Sequence, residues 1–371
     1  MEVTLNRDKL LNSLSHAYGI IEKKNTIPIL SNVLIEVKES KVTITATDLD
    51  IIYSEEIQPI NVKQEGSTTT SANIFYDILR KLLPNSKVEI ILKDKNKLKL
   101  ESGNSTFNLL CIPPENFPLS NENLNIKSFK INPKKLLKLL HKTKISISGD
   151  ETRHYLNGIF FHKTNIKGKT FLTGVSTDSH RLSSSSLEIE ESVQFEPIIL
   201  PKKTIFQLLS LLEDVGNEVK ISSDKSKIKF EMQNAVLVSK VIDGKFPDYS
   251  KVVPFENEKK LEINLNDFKS SIERVVSVSM DRKEGLKMAI SKNSIRMSVS
   301  SPSSGEGIEI IKANFNSDNL NMVFNSRYLI DIASQIEHNS ILLNFKDPGS
   351  PVMIKDYSDQ NSFYVVMPMK I

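Results

Sequence analysis

The sequence predicts an α+β protein of three similar domains, because strand-into-helix segments recur at near-equal spacing, a second such triplet sits midway through each third, and alternating strands fill the remainder. The first triplet is VTLNRDKLLNSL from Val3, FKINPKKLLKLL from Phe129 and LEINLNDFKSSI from Leu261, starting 126 and then 132 residues apart. The second is TTTSANIFYDILRKL from Thr68, IILPKKTIFQLLSLL from Ile198 and MVFNSRYLIDIASQI from Met322. A length of 371 residues independently favours two or three domains.

Each member of the first triplet carries an Asn near the helix start (Asn6, Asn132, and Asn264 or Asn266), where a short acceptor satisfies a free backbone N–H. After each helix the text returns to period-two strands, such as Lys87–Leu92, Glu218–Ile221 and Ile341–Phe345. Phe117-Pro118 and Phe246-Pro247, 129 residues apart, close the first two thirds. The expected plan is domains at 1–126, 127–256 and 257–371, each with two helices against antiparallel strands.

Composition narrows the function classes. The chain is 25% charged and 39% hydrophobic, ordinary for a globular protein. Asn6, Arg7, Asp8 and Lys9 interrupt the N-terminal apolar positions, so no signal peptide or membrane span is expected. Cys111 is the single cysteine, which excludes an internal disulfide and suits a reducing, cytoplasmic compartment. Gly168-Lys169-Thr170 looks like the end of a phosphate-binding loop, but Lys163 stands where that motif needs glycine. The six histidines (His16, His141, His154, His162, His180, His338) never pair at metal-ligand spacing, and Asp48 and Asp50 read as strand-end residues. No metal and no cofactor are expected. Asp178, His180 and Ser183 to Ser186 could supply an acid, a base and a nucleophile, but no Gly-x-Ser-x-Gly elbow frames any serine.

Charge concentrates on the helices. The windows 6–20, 72–83, 132–144, 201–212, 264–277 and 325–337 carry +1, +1, +5, +2, 0 and −1, against +4 for the whole chain, so the remainder is net negative. If these helices share a face, Arg7, Arg80, Lys81, Lys134, Lys135, Lys138, Lys142, Lys202 and Lys203 would meet duplex phosphates without reading bases. The alternative is that they form the solvated side of amphipathic helices. No aromatic platforms interleave with them, which disfavours single-strand binding.

TIPILSNVLIEV (26–37), TATDLD (45–50), HYLNGIFF (154–161), STDSHRL (176–182), VIDGKFPDY (241–249) and the terminal YVVMPMKI (364–371) resemble the bacterial beta sliding clamps, the beta subunits of DNA polymerase III. The resemblance runs through all three thirds. It implies a non-catalytic processivity subunit: a head-to-tail homodimer whose six domains make a ring lined by twelve helices. Phe107 and Leu109 of one copy would face Val278 of the next. It also implies an apolar cleft at Leu156, Thr177, His180, Arg181, Leu182, Pro247, Val252, Tyr328, Val365, Val366, Met367, Pro368 and Met369. There a short peptide motif of the polymerase III alpha subunit, the clamp loader, other polymerases or repair proteins would insert. Read without the family, YVVMPM is equally an ordinary last strand. Lys24 would join the DNA-facing set, whereas Asp150 would not. Two positions depart from the pattern: Ser179 stands where a glycine is usual, and Lys283 where the cleft carries an aromatic. Readings from other classes are a DNA-processing hydrolase using His180 and Asp178, and a monomeric peptide-binding adaptor.

Overall fold

A computed structural model describes residues 1–21, 27–94, 96–119, 128–213, 215–216, 218–279 and 285–370. All six strand-to-helix units form. Glu2–Asn6 runs into α1 (Arg7–Tyr18), Gly66–Ser71 into α2 (Ala72–Lys81) and Phe129–Ile131 into α3 (Pro133–Lys144). Ile198–Pro201 runs into α4 (Lys202–Leu212), Lys259–Asn264 into α5 (Leu265–Val276) and Leu320–Phe324 into α6 (Ser326–Ala333).

Asparagine caps start four of these helices. The Asn6 side-chain oxygen accepts from the N–H groups of Asp8 and Lys9 at 3.0 and 3.2 Å. Asn132 accepts from Lys134 and Lys135 at 3.0 and 3.3 Å. In the third repeat the cap is Asn264, which accepts from Asn266 and Asp267 at 3.0 and 3.1 Å; Asn266 is already inside α5. Asn325 does the same for α6. Each cap fills helix-end donors that would otherwise lack partners, and is worth about 1 kcal/mol.

Packing groups the residues into two compact units, each of which draws on two of the sequence thirds. The first comprises Met1–Leu137, Val193–Glu196 and Lys203–Val241; the second comprises Lys138–Ser192, Pro197–Lys202 and Ile242–Ile371. Strand pairing across the repeats explains the division. In the first unit Ile51–Ile57 pairs antiparallel with Ala235–Lys240, opposing Ile52 to Val238, and so joins strands of the first and second thirds in one thirteen-stranded sheet. In the second unit Arg181–Glu188 pairs in the same sense with Asp359–Val366, opposing Leu182 to Val365, inside a nine-stranded sheet. A four-stranded antiparallel sheet completes that unit, in the order Gly305–Lys312, Ser294–Ser301, Leu286–Ser291, Leu320–Phe324.

The helices bury the faces that their periodicity marks. Leu10 and Leu14 of α1 and Phe75 and Leu79 of α2 are fully enclosed in the first unit with Leu5, Val88 and Ile90. In the second, Phe268 and Ile272 of α5 and Leu329 and Ile332 of α6 close over Leu286, Met288, Phe324 and Ile341. Enclosing one such side chain contributes about 1.5–3 kcal/mol, which fixes both layers as frames for surface sites. Among the described residues no helix is long and apolar enough to cross a membrane.

Candidate peptide cleft and basic surface

The second unit carries a cleft of about 280 Å³. Its floor is apolar: Leu156, Leu182 and Val365 belong to a small buried cluster with Val175, Ile199, Phe246, Val253 and Met353. Leu182 and Val365 meet there because they oppose each other across the strand pair. The Met367 N–H donates to the His180 carbonyl at 2.8 Å, which extends the pairing and sets the Met367 side chain, 39% exposed, on the rim.

The adjoining lip is the turn after Lys169–Thr177. Asp178 Oδ1 accepts from the N–H groups of His180 and Arg181 at 3.0 and 2.9 Å, and its Oδ2 takes Arg181 Nε at 3.0 Å. Arg181 Nη1 reaches Asp331 at 2.7 Å, and the guanidinium lies 4.3 Å from the centre of the Tyr328 ring. That ring stacks loosely on His180, centroids 6.5 Å apart. Burial, followed by the nearby Asp178 charge, raises the Tyr328 phenol above its ordinary pKa. The lip is therefore a braced polar edge on an apolar trough, a combination suited to a ligand with large apolar side chains and a few oriented polar groups.

The structure gathers nine of the thirteen expected cleft residues around this cavity: Leu156, Thr177, His180, Arg181, Leu182, Pro247, Val252, Val365 and Met367. Tyr328 sits behind the lip rather than on the wall. Val366 is a correction: it is fully buried in the main core of the unit, because neighbouring residues on a strand face opposite sides and Val365 takes the cleft. Pro368 and Met369 run past the cavity, and the Met369 N–H donates to the Val323 carbonyl at 2.7 Å. Ser179, a departure from the family pattern, also lines the cleft; Asp248 and Tyr249 line it and were missed, although they directly follow Pro247. Tyr249 is held by His162. Because the Nδ1 of His162 faces the Lys163 carbonyl at 3.2 Å, its Nε2 is left to accept from the Tyr249 hydroxyl at 3.0 Å. Burial lowers the His162 pKa, which favours this neutral ring. Lys283 lies outside the described residues.

The hydrolase arrangement does not form. The Asp178 carboxylate is occupied by backbone donors and Arg181, and His180 stacks on Tyr328. Ser183, Ser185 and Ser186 are tied side chain to side chain with Ser146, Ser362 and Thr173 at 2.6, 2.9 and 2.8 Å within the sheet. Among the described residues no three His, Cys, Asp or Glu side chains converge as metal ligands.

Two of the expected DNA-facing cations are corrections. Arg7 is only 8% exposed: its Nε and Nη2 donate to the carbonyls of Leu79 and Arg80 at 2.7 and 2.9 Å, capping the C-terminal end of α2. Lys142 is 2% exposed and lies 2.9 Å from Asp359 and 3.3 Å from Glu337. The α-helical step of four places Lys138 beside it, on Glu337 at 2.9 Å. Lys203 is engaged by Asp48 at 2.5 Å. Arg80, Lys81, Lys134, Lys135 and Lys202 are exposed, Arg80 with Asp77 at 3.5 Å, while Lys24 lies outside the described residues.

Of the expected interface residues, Phe107 is half-buried, Leu109 is buried, and Val278 packs partly against the core of its unit. Two strand edges were not anticipated. Ser105–Leu110 pairs with Lys97–Ser102, but among the described residues only Cys111 and Ile112 of the same strand find ladder partners on the other side. Gly305–Lys312 ends its sheet. On these edges Leu110 is 80% and Ile310 65% exposed.

An antiparallel α+β scaffold of repeated strand-to-helix units, with a braced apolar cleft and no assembled catalytic group among its described residues, is that of a docking protein. Sequence profiles for the N-terminal, central and C-terminal domains of the DNA polymerase III beta subunit match residues 1–121, 130–248 and 250–370. The chain therefore belongs to the DNA polymerase III beta subunit family, the beta sliding clamps, and has its three clamp domains. It is 34% identical to the beta sliding clamp of Caulobacter vibrioides and 28% identical to that of Escherichia coli K12, with full coverage of both chains in each comparison. Its fold superposes with a TM-score of 0.96 on the Bartonella birtlesii DnaN sliding clamp bound to griselimycin, at 35% identity and full coverage of both chains.

Proposed function

We propose that this protein is the sliding clamp of its DNA polymerase III: a non-catalytic ring that encircles duplex DNA and holds the polymerase at the primer end. Family membership over the whole chain is the observation that carries this reading. Two copies associate head to tail, a heterologous contact that closes after two steps. The open edge at Ser105–Leu110 of one copy, with Phe107 and Leu109, meets the edge strand Gly305–Lys312 and Val278 of the other. Joining these edges would satisfy their free backbone groups and cover Leu110 and Ile310.

Exposed Arg80, Lys81, Lys134, Lys135 and Lys202 contact phosphates without reading sequence, so the ring slides. Lys24 belongs with them. The cleft takes a short, partly apolar peptide carried by the polymerase alpha subunit, the clamp loader and other DNA-processing proteins. Tethering raises the local polymerase concentration instead of adding catalytic contacts. The protein works in the cytoplasm and needs no cofactor of its own.

The test is primer extension on a single-stranded circle with excess competitor template. Adding this protein with loader, ATP and polymerase should lengthen the products of one binding event by an order of magnitude or more. Unchanged product length under those conditions would reject the reading, and a monomer at micromolar concentration would favour the adaptor.

A further inference from the structure

Ser179 occupies a backbone position that disfavours any side chain. Its φ is +76°, in the left-handed region, at the corner of the turn that forms the cleft lip. What its hydroxyl does there is specific: it accepts a hydrogen bond from Arg153 Nη1 at 2.7 Å. Arg153 belongs to the short helical turn Glu151–Leu156, whose Leu156 lines the cleft floor. The Nε of the same guanidinium donates to Asp150 Oδ2 at 2.8 Å. Asp150 is a committed anion, since hydrogen bonds from the Thr152 hydroxyl and N–H, followed by that from Arg153, lower its pKa.

We propose that Ser179 is a specificity-determining residue of the cleft: its hydroxyl, with Asp150, tethers the Arg153 guanidinium and withholds it from the bound ligand. The proposal rests on the cleft being a peptide site. Asp150 pairs with the Arg153 charge through Nε, and Ser179 occupies Nη1 and fixes the direction of that edge at this end of the cleft. An acidic ligand residue passing the lip gains little from it. A glycine at 179 would relieve the backbone and free Nη1, so that the guanidinium, still held through Nε by Asp150, could turn that edge to a carboxylate at the rim.

The experiment measures fluorescence-anisotropy Kd values for two short labelled peptides ending in Leu-Phe, identical except for Asp or Asn before that pair. The proteins are the full chain, Ser179→Gly, Arg153→Ala and the double variant, with circular dichroism confirming the fold of each. In the native chain the two peptides should bind within about 2-fold of each other, and Arg153→Ala should leave that ratio unchanged. Ser179→Gly should favour the Asp peptide by about 3- to 5-fold, a gain abolished in the double variant; gains of that size lie at the upper end for exposed ion pairs. An unchanged ratio in Ser179→Gly, or selective loss of the Asp peptide in Arg153→Ala alone, would overturn the tether. If neither peptide binds the native chain, the peptide-site reading itself fails.

Discussion

Two turns 130 residues apart share one backbone and differ in what surrounds them. In the first unit, Thr47 to Asp50 places Leu49 at φ +79°; the Leu49 N–H donates to Thr47 Oγ1 at 3.0 Å, and Asp48 Oδ1 accepts from Asp50 and Ile51 at 3.0 and 2.7 Å. In the second, Thr177 to His180 repeats each of these bonds, with Ser179 at φ +76°. The following strands then pair alike, Ile52 with Val238 and Leu182 with Val365. Even the next N–H does the same, Lys240 donating to Asp50 O and Met367 to His180 O, both at 2.8 Å.

Each turn also borders a cavity. That of the first unit, about 200 Å³, is lined by Thr47, Leu49, Asp50, Ile52, Pro118, Leu119, Lys227, Val238 and Lys240. Lys240 stands there where the second unit offers Met367, and it is paired with Asp50 at 2.9 Å. Repetition thus supplies the frame twice, while side chains at a few positions make one copy a larger apolar trough and leave the other a smaller hollow edged by an ion pair.

The largest contrast should come from the carboxylates that brace the turns. Asp178→Ala leaves two backbone N–H donors without their acceptor and removes the support of Arg181, so peptide affinity should fall by about 100-fold, whereas Asp48→Ala should leave it unchanged; isothermal titration compares the two. Equal losses would show that the first turn also contributes to peptide binding.

The next effect separates the lysine partners of the units. Asp359 is held below its ordinary pKa because Lys142, and then Lys138 and Ser362, outweigh the upward push of burial. A depressed folded pKa adds stability above the unfolded value, near 4, and loses it as pH falls further. Asp359→Asn should cost about 2–4 kcal/mol at neutral pH, by leaving Lys142 underpaired, and should make the acid loss of stability shallower in urea titrations. Lys203→Ala, at a partly exposed pair, should cost under about 1 kcal/mol.

Smaller still, Met367→Ala should weaken peptide binding by about 5- to 10-fold, and Lys240→Ala should not alter it. Leu49→Gly, which relieves a left-handed residue, should stabilise the first unit by about 0.5 kcal/mol in thermal melts and leave the cleft untouched.

How much of this was legible in the sequence depends on the range of the interaction. The helices and the asparagine caps of the first triplet follow from local periodicity and the repeat, whereas Leu182 and Val365 entered only through the family resemblance and their opposition is a contact distant in sequence. Arg7 and Lys142 were misplaced because a charge count cannot see partners distant in sequence: Arg7 meets carbonyls at positions 79 and 80, and Lys142 meets Glu337 and Asp359. Val366 was misplaced by a single step of strand parity. The Ser179 tether needed a backbone angle that no residue pattern reports, although the unusual serine was itself visible.

The central claim is topological, and retention on DNA tests it most directly. Labelled protein is loaded on nicked circular DNA by a clamp loader with ATP, half of the sample is linearised, and both halves pass through a sizing column at moderate salt. A sliding ring stays on the circles and runs off the linear ends. Equal retention on both, or on neither, would contradict the account.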